Sequence, residues 1–269
     1  MTDIHHYLDD VRAIAIEAGH RILAVYEREY NVTRKQDNSP LTEADHLAHE
    51  LIVERLSALA PVLPVLSEES AAAEYAERAS WTRFWLVDPL DGTKEFISRT
   101  GEFTVNIALI DNGRPVLGVV HVPVRGETYW ACRGHGAFRQ VGTAKAETIR
   151  VRRYDGGVAT VVASRSHSGK DTEAFLQSLG KHDIASMGSS LKFCLVAAGQ
   201  ADVYPRLGPT MEWDTAAAQA VVEEAGGRVV DVKGSTLSYN KTDLHNPWFI
   251  VSGAGGYDWA RHLPADHAK

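Results

Sequence analysis

An α+β protein in two halves is the fold this sequence predicts. Three patterns predict it. Residues 4–61 carry apolar side chains at helical spacing, residues 64–131 read as a succession of short strands, and beyond about residue 155 strands alternate with helices. Usage is that of a globular protein, 44% hydrophobic and 23% charged over 269 residues. That length corresponds to about one to two domains.

The first helix is predicted over 4–26, because Ile4, Leu8, Val11, Ile14, Ala18, Ile22 and Val25 fall on one stripe. Asp37-Asn38-Ser39-Pro40 is a turn signal. Leu47, Leu51, Ile52 and Leu56 then mark a second helix that ends near Pro61. Pro64-Val65-Leu66-Ser67 is a short strand. Phe84-Trp85-Leu86-Val87 is a compact apolar strand, expected to stop at Asp88-Pro89. Residues 103–110 and 116–122 form a hairpin about Asp111-Asn112-Gly113, since Asn-Gly favours a tight hairpin turn. Thr128 to Ala131 adds a strand. Residues 1–155 are therefore expected to form a helix pair on a largely antiparallel sheet.

Residues 156–269 read differently. Val158 to Val162 is a strand, 171–179 a helix, and 189–198 a helix ended by Gly199. Ala201 to Tyr204 is a strand, 214–225 an alanine-rich helix ended by Gly226-Gly227, and 228–232 a strand. No Pro/Ser-rich spacer lies at the junction near residue 155, so it is not expected to be a flexible linker.

Composition excludes several classes of function. With 28 basic and 35 acidic residues the net charge is −7, which gives no broad attraction for nucleic acid or an anionic membrane. A small anion would need positive charge supplied locally, for example by a metal. Cys132 and Cys194 cannot make a disulfide framework and suit a reducing compartment. The segment Met1 to His6 lacks a signal-peptide pattern. No apolar stretch approaches the ~20 residues of a membrane helix. The expectation is a cytoplasmic, monomeric enzyme acting on a small molecule, with no integral membrane segment.

The most informative stretch is Trp85-Leu86-Val87-Asp88-Pro89-Leu90-Asp91-Gly92-Thr93. An apolar strand runs into two carboxylates three residues apart. Pro89 restricts the backbone between them, so both can face one point. Gly92 permits close approach of a ligand, and the N–H groups of Gly92 and Thr93 can cradle a phosphate. Read alone, Asp-Pro and Asp-Gly are equally turn dipeptides. Ser67-Glu68-Glu69-Ser70 places acids after a short strand, and Trp213-Asp214-Thr215 places one at a helix start. Singly these are a solvated loop and an N-cap. Together with Asp88 and Asp91 they form a set of hard oxygen donors suited to Mg²⁺. Two such ions about 3.5–4 Å apart form the usual clamp for phosphate-ester hydrolysis. Thr42-x-x-Asp45 reads, from spacing alone, as a capping box. No H-E-x-x-H, P-loop or G-x-S-x-G pattern is present.

These motifs, in this order and over nearly the whole chain, resemble the inositol monophosphatase superfamily of Mg²⁺-dependent, lithium-sensitive phosphatases. Asp91-Gly92-Thr93-Lys94-Glu95-Phe96-Ile97, Gly101 to Asn106, Ser164-Arg165-Ser166-His167, Gly188-Ser189-Ser190-Leu191-Lys192-Phe193 and Tyr204-Pro205-Arg206 resemble its 3'(2'),5'-bisphosphate nucleotidase branch, the CysQ type. The resemblance implies a layered α-β-α-β-α sandwich. It implies that Glu68, Asp88 and the backbone carbonyl of Leu90 hold one Mg²⁺, that Asp88, Asp91 and Asp214 hold a second, and that Glu69 serves a third. Asp45 would hydrogen-bond Thr93 and help deprotonate the attacking water. Glu68, Leu90, Asp91, Gly92, Thr93 and Asp214 would surround the substrate phosphate. Ser164, His167, Gly188 and Lys192 would contact the nucleotide, with Arg206 a further candidate.

The implied reaction removes the 3'-phosphate of 3'-phosphoadenosine 5'-phosphate, a by-product of sulfate assimilation. The alternatives are an inositol monophosphatase or broader sugar-phosphate phosphatase, and, from another class, a non-catalytic nucleotide sensor.

Overall fold

The computed structural model describes residues 4–28, 40–70, 74–163 and 169–264. A 3-10 turn at His5–Tyr7 runs into helix α1 (Leu8–Tyr26), and α2 (Pro40–Ser57) follows. The chain then forms β1 (Val65–Ser67), α3 (Tyr75–Arg78), β2 (Arg83–Asp91), α4 (Thr93–Ile97), β3 (Thr104–Asp111) and β4 (Arg114–Val122). Strands β5 (Glu127–Cys132), β6 (Ala137–Val141), β7 (Glu147–Ile149) and β8 (Ala159–Ala163) come next. Helix α5 (Lys170–Leu179), β9 (His182–Ser186), α6 (Leu191–Ala197), β10 (Val203–Arg206), α7 (Ala216–Glu224), β11 (Arg228–Asp231) and β12 (Phe249–Ser252) complete the order.

Strands β1 to β7 form one sheet in sequence order, antiparallel except for the parallel β1–β2 pair. The second sheet has the order β11-β12-β10-β8-β9 and is mixed. Three apolar layers hold these sheets. Alternate residues of β2 and β3, namely Trp85, Val87, Val105, Ile107 and Leu109, pack against Val11, Ala18, Ile22, Ile52 and Leu56 of α1 and α2. The opposite face, with Phe84, Leu86, Ala108 and Ile110, packs against α6 and α7 and, beyond them, Val229, Phe249 and Val251 of the second sheet. The far face of that sheet, with Val161, Val203 and Ile250, is covered by Phe175 of α5 and by Trp259 and Leu263. The result is the layered α-β-α-β-α sandwich. Strands β2 and β3 are buried on both faces, which is why they read as unbroken apolar runs rather than alternating ones.

Several expectations are corrected. Strand β2 does not stop at Asp88-Pro89; it continues to Asp91 with a bulge, the pairing stepping from Asp88↔Asn106 to Asp91↔Thr104. Strand β1 pairs no further than Ser67↔Val87, so Pro89 lies where the strand no longer needs a donor on that side. Strands β6, β7, β9 and β12 were not expected. The first three are short and largely polar or exposed, so nothing in their spacing separates them from loop. The hairpin turn is as predicted, Asn112 and Gly113 both having positive φ, 49° and 72°. Helix α2 begins at Pro40, so Thr42 lies inside the helix and is not its cap.

Candidate active site

The acids of the three motifs arrive from different elements. Asp88 lies in the last stretch of β2 and Asp91 at its end, Glu68 in the turn after β1, and Asp214 just ahead of α7. Ligand oxygens of Glu68, Asp88 and Asp214 lie within 4.8 Å of one another. Asp88 is 1% exposed, and its Oδ1 accepts the Leu90 N–H at 3.1 Å. Leu90 itself sits within the bulge, where the ladder to β3 is interrupted. Asp214 does not cap α7. Its Oδ2 accepts the Met211 N–H at 2.9 Å, which turns the carboxyl back toward the acids.

Asp91 is held differently. Its Oδ2 accepts the Ser189 hydroxyl and the Ser190 N–H, both at 2.6 Å. Helix α6 begins only at Leu191 and takes no side-chain cap from Ser190, so these residues serve Asp91 rather than the helix.

Electrostatics mark the cluster. Burial pushes the Asp88 carboxyl well above its usual range, and Asp91, Glu68, Asp214 and Asp45 push it further. Burial and then Asp91 raise Asp214 to about 7. Burial and then Glu69 and Glu68 raise Asp45 to about 8. Glu68 is raised by desolvation of its carboxyl end and by Asp91. Asp45, half-buried on α2, lies beside Glu69 and Glu68. Its Oδ1 is buried without a partner. Crowded hard oxygen donors, one of them orphaned, fit a divalent cation.

A thermal consequence follows. Asp45 and Asp214 titrate in the folded chain near 8 and 7, well above the ordinary carboxyl value of 3.8, so the folded state holds more protons than the unfolded between about pH 4 and pH 8. Stability of the metal-stripped chain therefore falls as pH rises through that window, and a bound cation offsets the fall. The Tm gain on adding Mg²⁺ is expected to grow from pH 5.5 to pH 8. A gain independent of pH in a thermal-shift titration would contradict this account.

The phosphate side is built from Gly92 and Thr93. Gly92 has φ +102°, and a Cβ there would lie 3.1 Å from the Phe103 Cα and 3.2 Å from the Glu102 carbonyl oxygen, so only glycine fits the turn between β2 and α4. Thr93 is exposed as the first residue of α4. A cavity of about 510 Å³ opens beside them, lined among others by Asp91, Gly92, Lys192, Tyr204, Arg206 and Asp214. Lys192 is 8% exposed, lies 5.7 Å from the centre of the Tyr204 ring, and has its pKa lowered by burial. Gly188 is buried one residue before the cavity-lining Ser189, its N–H donated to Glu102 Oε2 at 2.9 Å. Ser164 and His167 lie outside the described residues.

Thr104 and Asn106, inside the Gly101-to-Asn106 motif, are functional candidates that the resemblance did not single out: they meet the hydroxyls of Ser189 and Ser190. The signal was there: two polar residues, i and i+2, at the buried start of a strand that continues with the four apolar residues Ile107 to Ile110.

A layered α/β sandwich that gathers carboxylates between its two sheets, at the mouth of a cavity with buried positive charge, defines a metal-dependent class of protein. The chain belongs to the inositol monophosphatase family, whose profile matches residues 4–256. It is 50% identical over 248 residues to the 3'(2'),5'-bisphosphate nucleotidase CysQ of Shigella flexneri, covering 91% of this chain and 99% of that protein. Among solved structures, CysQ from Bacteroides thetaiotaomicron superposes with a TM-score of 0.83 at 45% identity, over 90% of this chain and 96% of that one. The inositol monophosphatase of Anabaena shares the fold alone, with a TM-score of 0.76 at 24% identity over 98% of each chain. Among the described residues no helix is long and apolar enough to cross a membrane.

Proposed function

We propose that this chain is a Mg²⁺-dependent phosphatase that converts 3'-phosphoadenosine 5'-phosphate to AMP and phosphate, as a step that clears a by-product of sulfate assimilation. The observation that carries the reading is the convergence of Glu68, Asp88 and Asp214 beside a cavity containing Lys192 and Arg206, in a chain half identical to proteins named as bisphosphate nucleotidases. The buried free thiols of Cys132 and Cys194 agree with a cytoplasmic enzyme.

In this reading Glu68, Asp88 and the Leu90 carbonyl hold one Mg²⁺, and Asp88, Asp91 and Asp214 a second, with Glu69 beside a third. Bound Mg²⁺ supplies neutralisation of the phosphate charge and acidification of water. The chain does the rest. Asp45, with Thr93, takes the proton from the attacking water. The N–H groups of Gly92 and Thr93 hold the phosphate oxygens. Lys192 and Arg206 meet the second phosphate, the feature a monophosphate lacks, and Ser164, His167 and Gly188 contact the nucleotide.

The test is phosphate release with Mg²⁺ from 3'-phosphoadenosine 5'-phosphate and from myo-inositol 1-phosphate at matched low concentration. A preference of at least about tenfold for the nucleotide is expected, one extra charge-assisted contact being worth about 1.5–3 kcal/mol. Preference for the inositol ester would transfer the site to that substrate. Nucleotide binding without turnover would make the chain a sensor.

A further inference from the structure

We propose that Thr104, Asn106, Ser189 and Ser190 form a positioning network that pins one oxygen of Asp91 and leaves the other for a cation. The proposal rests on the reading of Asp91 as a metal ligand. Strand register is the first observation. Thr104 and Asn106 of β3 are the cross-strand partners of Asp91 and Asp88, so the strand opposite the two acids carries polar residues at those two positions. Both are buried, at 0% and 1% exposure, where a polar side chain needs a partner.

The partners come from the turn before α6. Ser190 Oγ donates to Asn106 Oδ1 at 2.8 Å. Ser189 Oγ donates to Asp91 Oδ2 at 2.6 Å, and the Ser190 N–H donates to the same oxygen at 2.6 Å. Thr104 Oγ1 lies 2.6 Å from Ser189 Oγ and 2.8 Å from Ser190 Oγ. Proton accounting then assigns the directions. Each serine hydroxyl has one proton, and both are committed, to Asp91 and to Asn106. Thr104 is therefore the donor to a serine oxygen. With Thr104 and Asn106 fixed in the sheet, the turn cannot rotate without breaking several buried bonds at once.

Backbone strain is the second observation. Ser189 has φ +53°, a conformation in which glycine is the comfortable residue. A serine there costs the backbone something, and the hydroxyl contacts with Asp91 and Thr104 are what glycine could not make. Asp91 Oδ2 is thus occupied by two donors from a segment 98 and 99 residues away, and Oδ1 is the oxygen left to a cation. Lys192 follows two residues after Ser190, so the same turn ties the nucleotide side of the cavity to the metal side.

The experiment compares full-length parent, Ser189→Gly, Thr104→Val, Thr104→Ser and Asp91→Asn, each titrated with Mn²⁺ by EPR of the free ion and melted without metal. Loss of outer-shell support for a ligand typically weakens metal binding about 10–100-fold. Ser189→Gly is expected to bind Mn²⁺ about tenfold more weakly while its metal-free Tm stays at or above the parent's, because strain is relieved as the contact is lost. Thr104→Val is expected to weaken Mn²⁺ binding and Thr104→Ser to restore it. Parent-like Mn²⁺ affinity in Ser189→Gly would overturn the network while Asp91→Asn still loses an ion. A parallel drop of Tm and affinity in Ser189→Gly would make the serine structural and overturn it equally. Parent-like binding in Asp91→Asn would instead remove the ligand reading on which the network rests.

Discussion

Asp88→Asn is expected to lose turnover by roughly a thousandfold, about 4 kcal/mol of transition-state stabilisation, while the protein stays folded. The side chain keeps its volume and its Oδ1, so the bond from the Leu90 N–H survives. What disappears is the charge of the acid at the centre of the cluster, 1% exposed and facing Asp91, Glu68, Asp214 and Asp45. Because burial and those acids oppose its ionisation, the metal-free Tm at pH 7.5 is expected to equal or exceed the parent's, and the Tm gain on adding Mg²⁺ to vanish. Stability and activity moving in opposite directions is the signature of a functional rather than structural acid. Phosphate release near the parent rate would refute the two-metal assignment.

Gly118→Ala is expected to be the most damaging single methyl in the protein. Gly118 sits on β4 between Ala108 of β3 and Ala131 of β5, a row of small residues on which α7 lies. An added Cβ would fall 2.2 Å from the Ala217 carbonyl oxygen and 2.9 Å from the Ala220 Cβ. The first obstacle is backbone, not the end of a flexible side chain, so the whole helix must retreat. Overpacking of this kind costs about 3 kcal/mol, a Tm loss of roughly 6–12 °C at this size. Asp214 lies two residues before α7 and moves with it. A displacement of about 1 Å costs a catalytic site on the order of a hundredfold, so activity well below the melting range is expected to fall as well. An Ala variant with parent Tm and parent rate would show that the sheet yields instead.

Much of this was legible in the chain. The stripe from Leu8 to Val25 became α1, and Asn112-Gly113 became the tight turn. The Asp88-to-Thr93 run, ambiguous alone, was recognisable beside Ser67-Glu68-Glu69-Ser70 and Trp213-Asp214-Thr215 in the same order along the chain. The missed parts have physical causes. Strand β12, Phe-Ile-Val-Ser, is buried over four residues between irregular segments, too short for any periodicity to show. The extension of β2 through Pro89 depends on where β1 ends, a tertiary fact. The tether of Asp91 to Ser189 and Ser190 spans almost a hundred residues and leaves no mark in local sequence. Thr42 and Asp45 looked like a capping box because a helix boundary at Pro40 cannot be read from two polar residues three apart.

The middle layer has a consequence for how the chain comes to life. Glu68, Asp88 and Asp91 are carried on the first sheet, but Asp214 and the Ser189-Ser190 turn belong to segments that fill the space between the sheets. During synthesis the acids of the first sheet emerge long before the groups that complete their site. On the proposed ligand assignment, an ion on Glu68, Asp88 and the Leu90 carbonyl would need only the first sheet, whereas one on Asp88, Asp91 and Asp214 would have to wait for the middle layer. Binding of that second cation would therefore be a late lock on folding, closing only after the most distant parts of the sequence have met.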